Sequence, residues 1–201
     1  QIVYLEEGDV VDIQLGKYWI VDSEHKAVNR AVKTVHAHSG AAELGPYRHY
    51  MQKEIYEQPL AIKNTLEGRF SHGQVNLSEL GEKADEILSR VQHVQIIACG
   101  TSYNSGMVAR YWLEELAGVP CQVEVASEFR YRDPVLERDD LLIVVSQSGE
   151  TADTLAALRH VAGHVRRTLA VVNVPTSSIA READVVMPIL AGPEIGVAST
   201  K

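Results

Sequence analysis

The chain has 201 residues, 45% hydrophobic and 23% charged, the balance of an ordinary folded protein with room for one full domain and part of another. Its 27 acidic residues against 19 basic ones leave a formal charge of -8, which argues against a nucleic-acid surface and against adsorption to an anionic membrane. No apolar run reaches the roughly 18 residues of a spanning helix, the N-terminus lacks the regions of a signal peptide, and two cysteines make no disulfide framework, so a reducing cytoplasm is the expected compartment.

Residues 1 to about 36 read as β-structure, with short runs of Val, Ile, Tyr and Trp parted by turn signals at Glu7-Gly8-Asp9, Gly16-Lys17 and Asp22-Ser23. These strands are too few to close a sandwich and would leave edges unpaired. Residues 1–38 are therefore expected to be the tail of a β-rich domain. The start at Gln1 rather than Met fits a piece of something longer. The small, polar stretch "HSGAAELGP" supplies a linker, placed at residues 39–47, and a second domain occupies 48–201. Tyr47 to Glu67 is expected to be helical, with Pro59 ending one helix and starting another.

Beyond it, Leu77, Leu80, Ala84, Ile87, Leu88 and Val91 follow helical spacing, and Asn76 with Glu79 suits a capping box. Strands are then expected at "VQIIA" (94–98), "CQVEV" (121–125), "LLIVV" (141–145), "TLAVVN" (168–173) and "DVVMPI" (184–189). Helices fall between them, at about 102–117, 127–131, 151–162 and 177–183. Several strands are apolar on both faces, which calls for a parallel sheet covered by helices on both sides: an α/β, three-layer αβα sandwich.

In such a sheet, ligands bind beyond the carboxyl ends of the strands. Two of those ends, "ACGTSYNSG" and "SQSGET", are rich in Ser, Thr and Gly and each precedes a helix, whose first amides lack intrahelical partners. Neither loop holds a lysine. Ser146, Ser148 and Thr151 offer three hydroxyls, and Gly149 is expected to let the backbone approach closely. That set suits a monophosphate on a small, neutral, hydroxyl-rich body. Glu150 would repel a phosphate and must point outward unless it takes part in chemistry. The plainer reading, in which these residues only turn and cap, stays open.

Other features point to structure. "GTSYNSG" is neither a dinucleotide fingerprint nor a P-loop. His36 and His38 lack a third metal ligand, and His160 and His164 read as a solvated helix face. Cys99 ends one parallel strand and Cys121 begins the next, too far apart for a disulfide. Cys121 reads as core, and Cys99 as near the ligand. Tyr111 and Trp112 read as helix packing.

Together, "CGTSYNSG" (99–106), "SEFRYRD" (127–133), "SQSGETADT" (146–154) and "EIGVASTK" (194–201) resemble the sugar isomerase (SIS) domain. They are most similar to the first isomerase half of the glutamine–fructose-6-phosphate aminotransferases. "YRHYMQKEIYEQP" (47–59) resembles the segment joining the two parts of those enzymes, and "YLEEGD" (4–9) the end of their glutaminase domain. The resemblance covers essentially the whole chain. It implies a flavodoxin-like sheet and conversion of fructose 6-phosphate and glutamine to glucosamine 6-phosphate, without a cofactor or metal, in a cytoplasmic homodimer. By resemblance, Ser102, Ser146, Gln147, Ser148 and Thr151 hold the sugar phosphate. Thr101 and the Val197 backbone lie beside the sugar, and Cys99, Gly100 and Glu194 line the pocket.

The chain departs from the family in two respects. The family's N-terminal cysteine nucleophile has no counterpart here, and neither does the second isomerase half with its glutamate, histidine and Schiff-base lysine; Lys201, in "ASTK", does not match that lysine. The 201 residues alone are expected to bind phosphosugar weakly and to catalyse nothing. A non-catalytic phosphosugar sensor is the main rival, although such regulators usually carry a helix-turn-helix that the β-rich N-terminus does not offer. A pure interaction module is a second.

Overall fold

A computed structural model describes residues 1–34, 43–76, 78, 81, 88–196 and 199–201. The chain divides into two units, Gln1–Gly40 and Ala41–Lys201. In the first, β1 (Ile2–Val3) pairs antiparallel with β5 (Val32–Lys33), while β2 (Val10–Gln14), β3 (Lys17–Val21) and β4 (Ala27–Val28) form an antiparallel meander. Among its described residues, Ile20 is the buried apolar one. Arg30 grips Asp9 through two 2.8 Å bonds, a bidentate fork that holds the Asp9 carboxyl down to about 2.

The second unit opens with helix α1 (Tyr50–Leu66) and a hairpin of β6 (Phe70–Ser71) and β7 (Gln74–Val75). Then come β8 (His93–Ala98), α2 (Gly100–Trp112), β9 (Cys121–Val125), α3 (Ala126–Phe129) and β10 (Asp140–Ser146). Helix α4 (Ala152–Val161), β11 (Arg167–Val172), α5 (Ser178–Glu182) and β12 (Val185–Pro188) complete the series. Strands β8 to β12 form one parallel sheet in the order β12-β11-β10-β8-β9. This is the α/β architecture expected from the apolar runs.

The register shows why these strands are largely apolar on both faces. Val123, Ile96, Ile143, Leu169 and Val185 form one row across the sheet and join the core on the face that α2 covers. The next row, one residue on, sends Ile97, Val144 and Ala170 to the opposite face against Phe129, Ala157, Leu158 and Ile179 of α3, α4 and α5. Each large aliphatic so buried contributes about 1.5–3 kcal/mol, and a polar residue at either parity would forfeit it. Gly106 lets α2 lie close, since a Cβ there would stand 3.0 Å from both Ile96 Cγ2 and Val123 Cγ1.

Several expectations change. Pro59 does not divide α1, which runs unbroken from residue 50 to 66. Contacts on both sides of the proline hold it to residues 189–200, through Glu54 and Gln58 before it and Thr65 after it, so tertiary bonds override the breaker. The sequence pattern assigns no element to 70–75, where the structure forms a hairpin. Its signal was His72-Gly73, both at positive φ (52° and 80°), as a two-residue turn between short strands requires. Helix α2 starts earlier than expected and ends in a π-helical turn, Leu113–Ala117, closed by left-handed Gly118. Tyr111 and Trp112 are 63% and 61% exposed rather than packed, because α2 turns Gly106, Ala109 and Leu113 to the sheet. His164 lies beyond the end of α4, so it shares no helix face with His160. The helix expected over 77–91, the Asn76–Glu79 capping box, His36 and His38, and Val197 fall wholly or partly outside the described residues, as do residues 39–42 of the expected linker. Among the described residues, no helix is long and apolar enough to cross a membrane.

Candidate functional site: a hydroxyl-lined cleft at the sheet switch point

The strand order reverses between β8 and β10: the chain leaves β8 toward β9 on one side and leaves β10 toward β11 on the other. At such a switch point the two following loops part and leave a crevice beyond the strand ends. Here those loops are 99–102 and 146–151. Between them lies a cavity of about 470 Å³ bordered by Cys99, Gly100, Thr101, Ser102, Ser146, Gln147, Ser148 and Thr151, with Ser199 from the C-terminal segment. An adjoining hollow of about 450 Å³ shares Thr101, Ser102, Gln147 and Ser199 and extends under α1, where Ala61, Ile62 and Leu66 make it apolar.

The two helices that start at this cleft both begin without a side-chain cap. The N-cap of α2 is Cys99 and that of α4 is Thr151, and neither side chain bonds to its helix. The first-turn amides of both helices therefore gain no acceptor from the cap side chain, and the positive end of each helix dipole lies at an N-cap residue, Cys99 or Thr151, that borders the cleft. Thr151 spends its hydroxyl on Ser146 instead, at 2.9 Å. Ser146 Oγ, buried, also accepts the Gly149 N–H at 3.1 Å. One of the two hydroxyl protons closes the Ser146–Thr151 bond, so the other remains free to donate. Ser148 Oγ accepts the Glu150 N–H at 3.2 Å, which leaves its own proton unspent.

Gly149 departs from expectation, whereas Glu150 points outward as the repulsion argument requires. Gly149 does not give close approach to a ligand: its N–H is taken by Ser146, and its left-handed backbone (φ 65°) lies against Ser177. Glu150 turns away from the cleft and accepts the Ser178 N–H at the start of α5, at 2.7 Å. The other acid near the α4 start, Asp153, is paired with Arg130 at 2.7 Å, so neither carboxylate is left to oppose an anion.

The C-terminal segment supplies a third wall. Asn173, at the end of β11, ties it down through Ala191 N and Gly192 O, and α1 holds its far end. Glu54, 2% exposed, accepts the Ile195 and Gly196 N–H groups at 2.5 and 2.9 Å and the Thr200 hydroxyl at 3.1 Å. Burial pushes its carboxyl up, but the Gly196 and Ile195 amides, the Thr200 hydroxyl and the Lys201 charge outweigh that and hold it below the usual glutamate value. Lys201 borders the apolar hollow and is paired with Glu57, so the cleft has a cation in its wall that the loops alone do not supply. Glu194 does not border the cavity; it accepts from Thr200 N and Lys201 N and shapes the segment's end. Sequence reasoning missed Ser199, Gln58 and Thr65. Each lies far in sequence from the two loops, and only the fold brings them to the cleft.

The cysteines sit as the parallel register requires. Cys121 pairs with Val94 at the start of β8, and Cys99 follows its end; both are free thiols. Burial pushes the Cys121 thiol up to about 11. Cys99, half-buried in the cleft wall, has Thr154 Oγ1 at 4.0 Å. Among the described residues, no cluster of His, Cys, Asp and Glu could hold a metal ion.

Comparison with known proteins agrees with this fold. The chain is 59% identical over its whole length to the glutamine–fructose-6-phosphate aminotransferase (isomerizing) of Pectobacterium atrosepticum and 58% identical to that of Escherichia coli K12. It spans only 33% of each, about a third of those relatives. Among solved structures, the C-terminal domain of glucosamine-fructose-6-phosphate aminotransferase from Francisella tularensis superposes with a TM-score of 0.75 at 49% identity, over 79% of this chain and 45% of that one. A glucosamine-6-phosphate deaminase from Thermotoga maritima, at 22% identity and a TM-score of 0.59 over 76% of this chain and 43% of that one, shares the fold. The SIS domain family model matches residues 87–201, more than half of the chain. With its five-stranded parallel sheet and its hydroxyl-lined switch-point cleft, the chain belongs to the SIS domain family.

Proposed function

We propose that the cleft binds fructose 6-phosphate as one half of the isomerase site of a glutamine–fructose-6-phosphate aminotransferase. The observation that carries this is the pairing of two uncapped helix starts with the Ser102, Ser146, Ser148 and Thr151 hydroxyls around one cavity. Such a site meets a dianionic phosphate with dipoles and neutral donors, binding it without a cluster of cations. Gln147 joins these residues at the phosphate, and Thr101 and Ser199 then border the sugar, with Cys99 and Gly100 behind them. Val197 joins them in this reading by the family resemblance alone.

The isomerising reaction moves a proton between neighbouring sugar carbons and needs a base held within reach of them. Among the described residues, the cleft wall presents hydroxyls, amides, one thiol and one ion-paired lysine, and neither carboxylate nor imidazole. We therefore assign binding and orientation to residues 48–201 and proton transfer to parts of the full enzyme outside these 201 residues. Residues 1–38 would be the end of its glutaminase domain, joined by 39–47. In full form the protein would work in the cytoplasm, as a homodimer, at the entry to amino-sugar synthesis.

The test is a thermal titration of the 201-residue chain with fructose 6-phosphate, unphosphorylated fructose and sulfate. A ligand that binds only the folded state stabilises it by about 2.7 kcal/mol at a hundredfold excess over its dissociation constant. The sugar phosphate is expected to raise the melting temperature and fructose to leave it unchanged. Ser148→Ala, which removes one charge-assisted donor worth about 1.5–3 kcal/mol, should abolish most of the shift. No shift at millimolar fructose 6-phosphate, or an equal shift with fructose, refutes the assignment.

A further inference from the structure

Glu54 lies on α1, outside both Ser/Gly loops, yet it is almost fully buried and all its described partners belong to one short segment. Its carboxylate takes the backbone N–H groups of Ile195 and Gly196 and the hydroxyl of Thr200. These bonds fall on either side of Ser199, which borders both parts of the cleft. Gly196 independently marks the same contact. Its φ is not in the left-handed region, so the turn does not demand glycine; the carboxylate does. A Cβ there would collide with Glu54 Oε2 and stand 3.3 Å from Glu54 Cδ. A buried charge is costly unless its hydrogen bonds are met, and here the bonds that meet it are those that set the position of the third wall.

We infer that Glu54 is a positioning residue for sugar recognition: through Gly196 and Thr200 it holds the wall carrying Ser199 at the distance the sugar body needs, while the phosphate cradle forms without it. The inference rests on the binding role proposed above. It separates the ligand into two parts served by different elements, with the phosphate held by the loops after β8 and β10 and the sugar held by a segment that α1 positions.

The experiment compares fructose 6-phosphate with inorganic phosphate on the 201-residue chain and its variants. Glu54→Ala and Gly196→Ala release the segment from opposite sides of the same contact. Each should weaken fructose 6-phosphate by about tenfold, the worth of roughly one lost hydrogen bond to the sugar, and leave inorganic phosphate within about twofold. Glu54→Gln keeps an oxygen for the two backbone amides and should restore sugar-phosphate binding to within about threefold of the unaltered chain. A merely structural role would weaken both ligands together, and that result, or no change in either, overturns the inference. If Glu54→Ala does not fold, Gly196→Ala decides alone, since it leaves the carboxylate in place. Absence of both ligands from the unaltered chain would instead overturn the phosphosugar reading itself, and this inference with it.

Discussion

Replacing Gly149 with alanine tests the packing of the cradle loop directly. Two costs arise at once. The residue sits at φ 65°, a left-handed conformation that costs an alanine about 1–2 kcal/mol. The new Cβ would also overlap Ser177 Oγ and stand only 2.5 Å from Ser177 Cβ, an overpacking of the kind that costs about 1–3 kcal/mol. Together these amount to about 3 kcal/mol, a Tm lower by roughly 6–12 °C for a chain of this size. Gly100→Ala is the matched control. It has a similar φ of 57° and nothing within 4 Å of the added carbon, so only the conformational cost applies and the loss should be about half as large. Ser177→Gly removes both colliding atoms and leaves Val172 Cγ1 at an ordinary 3.5 Å. Because glycine is itself an acceptable N-cap, that change costs α5 only about a few tenths of a kcal/mol. The double variant Gly149→Ala with Ser177→Gly should therefore melt above Gly149→Ala alone. Melts followed by the helical circular dichroism signal read this out, since the described helices all belong to the second unit. Equal losses at Gly149 and Gly100, or no recovery in the double variant, would refute the reasoning.

Two further outcomes follow from the ionisable groups. Burial raises the Cys121 thiol from 9.0 to about 11, so the folded state favours its protonated form; the stability this gives is complete below pH 9 and is lost as pH rises toward 11. Alkylation followed by mass spectrometry at mild pH should label half-exposed Cys99 first, and faster labelling of Cys121 would contradict its burial. In the first unit, the Arg30 fork lowers Asp9 from 3.8 to about 2, so its contribution to stability is complete above pH 3.8 and is lost as pH falls toward 2. Asp9→Asn should remove that acid-dependent step from the unit's melting profile, and an unchanged profile would show that the fork is not stabilising.

The sheet was legible in the sequence because its signal is local. Runs such as "LLIVV" are apolar at both parities because both faces are covered, "VQIIA" departs from this only at buried Gln95, which donates to Glu124, and short Ser/Gly stretches mark where each strand gives way to a helix. The two loops of the cleft were legible for the same reason, since each lies at the end of such a run. The helix start at Thr151 could be placed within a residue, but not the use of its hydroxyl, which goes to Ser146 across the loop rather than to its own helix.

What the tertiary structure decided depends on groups distant in sequence. The order β12-β11-β10-β8-β9 put the loops after β8 and β10 side by side, and no single strand encodes its neighbour. Pro59 signalled a break that contacts with residues 189–200 overrode. Gly149 and Gly196 look alike in sequence, yet one is required by Ser177 and a left-handed turn and the other by Glu54, 142 residues away along the chain. Local patterning determines which residues become strand, helix or turn, because those choices depend on neighbours within a few positions. The third wall of the cleft depends on a buried carboxylate meeting backbone amides from the far end of the chain, a contact that exists only once the fold has closed.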